Sequence, residues 1–566
     1  MPVKKTVKTH TTADMVIIDA DILTFRGNSH AEALAVKDGK IIYIGDDDTA
    51  EKFIGPETEI IDADGRFLLP GFIDNHTHLL WMAMLRPLIV DLYDCKSLEE
   101  VRKKILAHSK ANPALPLIIG FGWRYELVEN RIPKQSLLDE WLPGRHVWML
   151  AYDAETLWTN TITHQYMLKK NPKACKRMEP ETDVITGNPT GIFLLTHSFD
   201  PFEFYPVENF GSEVKSKMFA SACKAIQEAL KAGVTAFDEL QVYKSFIPLM
   251  LEFRDTGGLD NIRARAAYYV DPTDIKDEKQ LISDLKWWKE TGEKYSDDRL
   301  TLGTALKLYI DGVSGNHTAF MREPYSDAPG VYGHPAWTHE NFNRLMEIAD
   351  DLELQTCTHC VGDAGISYIL NAVENSMNRG KKWDARHRIE HCELPDKAEI
   401  KKMAQLGIQA SMQPAQFYGD ESTEKALGLK RLKIMDPWRS LEKAGVVISF
   451  GTDYIAGHIP PVNPMYGLII ATTRMNYKNN TDWGEDEKID IKNAIKHYTL
   501  GSAKSLKIDH ITGSIEVGKS ADFVLWKTNL LKISSIWFLL THDIEIGKID
   551  DFVDMTFVRG KLAYSV

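Results

Sequence analysis

The stretch GFIDNHTHLLW, residues 71–81, sets His76 and His78 one residue apart directly behind an apolar run. Alternate residues of an extended strand point to the same side, so both imidazoles can reach one metal ion from a strand end. Packing against backbone groups explains an isolated H-x-H pair equally well, and a metal site requires further ligands elsewhere. Metal-compatible or proton-transfer residues do recur: Lys307 in TALKLYID, His359 in LQTCTHC, His391 in HRIEHC and Asp453 in VVISFGTD. Each lies close to the C-terminal end of a β-like run. A purely structural explanation needs a separate coincidence at each position, so the joint pattern favours a metal site.

Those residues need strands to carry them, and the sequence supplies eight: FLLPGFID, GVTAFDE, IRARAAYYV, TALKLYID, LQTCTHC, HRIEHC, IQASMQP and VVISFGTD. Between them, stretches such as FASACKAIQEALKAG, KQLISDLKWWKETG, NFNRLMEIADDLE and AEIKKMAQLG repeat apolar residues at three- and four-residue spacing, as helices packed on one face do. The alternation predicts the α/β class and a (β/α)8 TIM-like barrel, with chemistry at the C-terminal strand ends. An open doubly wound sheet is the alternative, but no glycine-rich phosphate loop follows an early strand. β-rich runs at the two ends, MVIIDADILTF and ALAVKDGKIIYIG early, ADFVLW and MTFVRGKLAYSV late, predict a β-sandwich domain from residues 1–70 and 512–566. The barrel then occupies 71–511. Within it, a tryptophan- and proline-rich segment at 79–216 breaks the rhythm and reads as a subdomain inserted over the barrel mouth.

Composition narrows the function classes. The chain has 566 residues, 44% hydrophobic and 26% charged, enough apolar material for a large core. Its formal net charge of −13 argues against a phosphate-backbone partner, so a partner other than nucleic acid is expected. The start, MPVKKTVKTHTTADM, lacks the apolar stretch of a signal peptide, and no long apolar run points to a membrane. Six cysteines without framework spacing fit a reducing compartment, so a cytoplasmic protein is expected, with a homodimer as the assembly to look for. Cys357 and Cys360 bracket His359 in a C-x-x-C spacing, but they point to opposite sides of a strand and no second C-x-x-C accompanies them, so packing is the preferred reading.

PGFIDNHTH, KLYIDGVSGNHTAF, THCVGDAG, RIEHC, GTDY and ITGSIEVGKSADFVLW, in this order, resemble the motifs of the amidohydrolase superfamily of metal-dependent hydrolases over most of the chain. The pattern is most similar to the third amidohydrolase branch, which includes N-substituted formamide deformylases. The resemblance implies that His76, His78 and Asp453 bind one divalent ion, typically zinc, and that His359 and His391 bind a second. It also implies a carboxylated Lys307 bridging the two; an unmodified lysine in an ion pair is the alternative. Such a donor set suits zinc, which lowers the pKa of water to about 7. Asp453 would take the proton of the attacking hydroxide's parent water and pass one to the departing nitrogen, giving hydrolysis of an amide- or formamide-like C–N bond. Deamination or decarboxylation within the same fold, and a non-catalytic relative, are the alternatives.

Three positions depart from the family pattern. Glu155 stands where a histidine is usual, before Trp158; together with Trp123 these residues predict an aromatic-lined substrate site. His317 replaces a frequent arginine, which weakens any case for carboxylate recognition. Leu195 replaces a frequent acidic residue.

Overall fold

In a computed structural model, the residues described are 11–26, 30–128, 133–152, 156–178, 180–182, 188–193, 200–417, 421–454, 462–474, 483–532 and 552–566. Eight strands form one parallel sheet in chain order: β1 (Phe72–Thr77), β2 (Val234–Val242), β3 (Arg263–Tyr269), β4 (Leu300–Tyr309), β5 (Gln355–Cys360), β6 (Arg388–His391), β7 (Gln409–Met412) and β8 (Ile448–Phe450). All eight expected strands are present. Just past β8 the chain returns to β1: Thr452 donates its N–H and hydroxyl to the Asp74 carboxylate at 2.8 and 2.5 Å, and the Asp453 N–H donates to the His76 carbonyl at 2.7 Å. The eight strands therefore form a TIM-like barrel with its ends tied together.

Strands buried on both faces read as apolar runs, which is why these stood out in the sequence. The helices behind them obey the expected periodicity. In Ser212–Lys231, Val214, Met218, Ala222, Ile226 and Leu230 are buried at four-residue intervals. The helix Lys397–Leu406 opens on a capping box between Asp396 and Glu399 and closes at Gly407, whose φ of 68° favours a residue without a Cβ.

The two ends of the chain form two further sheets. One contains Met15–Ile18, Ala33–Lys37, Lys40–Gly45 and Glu59–Asp62; Asp38 and Gly39 turn its hairpin with φ of 48° and 72°. The other pairs Phe67–Pro70 with Phe523–Trp526 and continues into Val553–Val558 and Lys561–Ser565, so N-terminal and C-terminal segments share one sheet. Ile17, Leu34, Leu68, Phe523 and Phe557 belong to one buried cluster between them. ADFVLW also docks this domain to the barrel. Asp522 accepts from Arg263 Nε of β3 at 2.9 Å, and the Trp526 ring packs 5.2 Å from Phe72 of β1.

Between β1 and β2 the chain builds a fourth sheet from Ile89–Asp91, Leu117–Trp123, His146–Ala151, Leu157–Thr159, Pro180–Thr182 and Pro189–Phe193. The break in rhythm thus corresponds to a six-stranded sheet. The limit expected at 216 falls inside the helix Ser212–Lys231, which runs beside Leu79–Leu85. Among the described residues no helix is long and apolar enough to cross a membrane.

Candidate metal centre

His76 lies in β1, and His78 stands at the N-terminus of the helix Leu79–Leu85. The β2 end fixes that corner through a register break between Glu239 and Val242. Leu240 turns its carbonyl to His78 Nδ1 at 2.8 Å, and the buried Glu239 carboxylate accepts the N–H groups of Leu80 and Trp81 at 2.8 and 3.0 Å. A carbonyl can only accept, so Nδ1 of His78 donates to it, and Nε2 is the nitrogen turned toward Asp453.

His76 is held in the same manner. Its Nδ1 donates to Glu390 Oε2 at 2.7 Å, leaving Nε2 toward the opening, while Gln413 lies on the Nδ1 edge at 3.1 Å. Asp453 Oδ1 then stands 3.5 Å from His76 Nε2 and 3.3 Å from His78 Nε2, and Gln416 donates to the other carboxylate oxygen at 2.9 Å. The candidate ligand atoms of His76, His78 and Asp453 lie within 4.8 Å of one another. Two imidazole nitrogens with fixed tautomers and an anionic oxygen fit a divalent transition ion.

The remaining candidates converge on this group. The His391 ring is 5.1 Å from that of His76 and 4.4 Å from that of His359. His359 gives Nε2 to the Gly312 carbonyl at 3.0 Å. Lys307, fully buried on β4, puts Nζ 3.5 Å from His76 Nε2 and 4.7 Å from the centre of the Tyr309 ring. His391 and Asp453 have φ of 70° and 50°, values a side chain rarely adopts. Both stand at strand ends, where this backbone turns them into the shared site.

Burial sets the charge states. It lowers His359 to about 3, helped by Lys307, and holds His76 and His391 below the ordinary imidazole range. Burial alone would raise Asp453, but His76, His78 and His391 outweigh it and keep the carboxyl well below its usual range. Desolvation lowers Lys307 against the pull of Glu390 and Asp453, which favours the neutral amine. Imidazole nitrogens, a carboxylate and a lysine amine of lowered basicity are donors that a divalent ion can take.

Beneath them the barrel holds a network of paired charges beside a small apolar cluster. Arg388 donates to Glu390 at 2.5 Å and to Asp238 at 2.7 Å, and Arg265 donates to Asp238 at 2.9 Å and to Gln355 at 2.6 Å. Ser411 donates to Glu390 at 2.5 Å, and Asn75 donates to Ser411 at 2.7 Å while accepting from Arg388 at 3.0 Å. Glu390, Gln413, Gln416 and this network escaped the sequence reading. A clue was present, because RIEH places Arg388 and Glu390 on one side of a strand.

The other expected positions among the described residues have contacts of their own. Trp123 and Trp158 are 1% and 0% exposed and sit 5.9 Å apart edge to face, with Trp141 another 5.9 Å from Trp158. They pack against one another within the inserted sheet, as buried aromatic rings do. His317 is half-buried, its Nε2 2.8 Å from Asp327 and its ring 4.7 Å from Tyr325. Glu155 and Leu195 lie outside the described residues. Cys357 joins Leu240, Ala267 and Ala305 inside the barrel, and Cys392 packs 4.0 Å from Met403, so both have packing roles.

Comparisons agree with this architecture. Protein LONG AFTER FAR-RED 3 of Arabidopsis thaliana is 26% identical over 569 residues, covering 98% of this chain and 92% of that protein. The N-substituted formamide deformylase of Arthrobacter pascens is 24% identical over 533 residues, covering 90% of this chain and 93% of its own. The crystal structure of an uncharacterized metal-dependent hydrolase from Pyrococcus horikoshii superposes with a TM-score of 0.71 at 24% identity, covering 91% of this chain and 98% of that one. Residues 59–564 match the model of the amidohydrolase family, and with that match spanning most of its length the chain belongs to that family.

Proposed function

We propose that this protein hydrolyses a C–N bond of an amide- or formamide-like small molecule with the aid of one or two divalent ions. The observation that carries this reading is the meeting of His76, His78 and Asp453 with ligand atoms within 4.8 Å of one another, each fixed from behind by a separate hydrogen bond. His76, His78 and Asp453 would hold one ion, and His359 and His391 a second, with Lys307 between them. Nitrogen and carboxylate donors suit zinc. When bound, the metal supplies Lewis acidity that polarises a carbonyl and acidifies a water molecule.

The chain's own residues do the rest. Asp453 is anionic and touches both histidines, so it can take a proton from the attacking water and deliver one to the departing nitrogen. Gln416 keeps one oxygen of that carboxylate in place, so the other serves the reaction. Burial lowers the pKa of Lys307, which would ease addition of carbon dioxide to its free amine with loss of one proton, and the resulting carbamate would offer anionic oxygens to the ions. The resemblance to a named formamide deformylase supports the choice of substrate.

The test combines elemental analysis with a screen of formamides, acylated amines, cyclic amides and amidines. Stoichiometric divalent metal and release of amine from one amide class are expected. Metal-free protein that stays inactive after reconstitution with zinc would overturn the reading.

A further inference from the structure

The helices Leu79–Leu85 and Ser212–Lys231, which run beside each other, line a cavity of about 340 Å³. Its size falls at the lower end of the range for small-molecule sites. Met82 and Ala83 from the first helix and Ala220 and Ala225 from the second make an apolar wall, and the three alanines leave room that larger side chains would fill. A further wall is Tyr454, the residue after Asp453. Its carbonyl accepts from the His78 N–H at 3.2 Å and its own N–H donates to Thr452 Oγ1 at 3.3 Å, so the backbone of the metal corner holds this wall in place.

Three charged side chains line the same cavity: Arg86, just past the first helix, and Lys224 and Glu228 on the second. Lys224 and Glu228 are four residues apart and so share one face of their helix. The Arg86 guanidinium donates to the Tyr454 hydroxyl. Among the described residues none of the three stands within ion-pair distance of an opposite charge. Charges set around a cleft with apolar walls act on whatever enters it. Two cations and one anion beside alanine and methionine complement a ligand with two anionic groups, one cationic group and a short hydrocarbon chain. We propose that this cavity is a second ligand site for a small amino dicarboxylate, the charge pattern of an acidic α-amino acid. Arg86 takes one carboxylate with its planar fork, Lys224 takes the other, and Glu228 accepts from the ammonium group. No lining residue is a candidate metal ligand, so the inference is independent of the hydrolytic reading and is read by binding rather than turnover.

Calorimetric titration of the purified protein with L-glutamate and L-aspartate tests the assignment. Glutarate, which lacks the ammonium group, and γ-aminobutyrate, which lacks one carboxylate, are the controls. One or both amino acids should bind with a Kd of about 1 mM or below. Each control should bind about 10-fold more weakly, the factor that a hydrogen bond to a charged group supplies. Lys224 and Glu228 are exposed, where substitution leaves a fold intact, so Lys224→Gln and Glu228→Gln should each weaken binding about 10-fold without unfolding the chain.

A carboxylate can also reach a metal ion, so the titrations are repeated on protein stripped with a chelator. Affinity that survives stripping and falls in both variants supports the second site. Failure of both amino acids to bind, equally tight binding of glutarate, or affinity unchanged in Lys224→Gln and Glu228→Gln would overturn it. Affinity that disappears on stripping and ignores both substitutions would assign the amino acid to the metal centre instead.

Discussion

Glu390 and His76 meet at 2.7 Å in the buried centre of the barrel, although 314 residues separate them in sequence. Glu390 accepts the Nδ1 proton and so leaves Nε2 of His76 facing Asp453 and Lys307. Arg388 and Ser411 hold the same carboxylate, so the orientation of the first histidine depends on a network rather than on one contact. Glu390→Gln should weaken zinc affinity about 10- to 100-fold while leaving the fold intact. Competition with a chromogenic chelator measures it, and unchanged affinity would remove the orienting role.

Asp453→Asn preserves the shape of the side chain and its bond from Gln416 but removes the base. Turnover should fall by about 100-fold or more with an unchanged circular dichroism spectrum. Near-normal turnover would exclude Asp453 as the proton carrier.

The buried histidines make the metal-free protein sensitive to acid. His359 titrates near 3 in the fold and near 6.5 when unfolded, so between these values the unfolded chain binds a proton that the native one does not. Stability is therefore fully present above about 6.5 and falls as the pH drops toward about 3, at up to roughly 1.4 kcal/mol per pH unit for one such group. Urea unfolding of chelated protein at pH 7.5, 6 and 5 should show this slope, and His359→Asn should flatten it.

Arg263 and Asp522 join the barrel to the terminal β domain as a buried ion pair, with the two side chains 8% and 0% exposed. Asp522→Ala leaves a buried guanidinium short of a partner and should cost on the order of 3 kcal/mol. Conversely, Cys360→Ala should leave metal content unchanged, since the Cys360 thiol contacts the Gly362 carbonyl at 3.4 Å. Loss of metal in that variant would make the C-x-x-C spacing around His359 a metal site rather than packing.

The barrel was legible because buried parallel strands are apolar runs and their helices repeat every three to four residues. The six ligand candidates were legible because each falls at the end of such a run. The carboxylate behind His76 was not. Alternation puts Glu390 and His391 on opposite sides, yet both serve one centre, because the φ of 70° at His391 abandons the alternation where the strand stops. The inserted sheet was hidden for another reason: strands as short as Leu157–Thr159 have no measurable period, and their tryptophans resemble a binding site as much as a core.

The inserted sheet leaves and re-enters the barrel between two strands that are hydrogen-bonded neighbours, for β1 and β2 pair directly, Phe72 opposite Val234. Its exit and return run through the helices Leu79–Leu85 and Ser212–Lys231, which pack on each other. Such a segment behaves as a cassette. It can be lengthened, trimmed or exchanged without reopening the ring of strands, and diversification can proceed beside the hydrogen-bonded histidines His76 and His78.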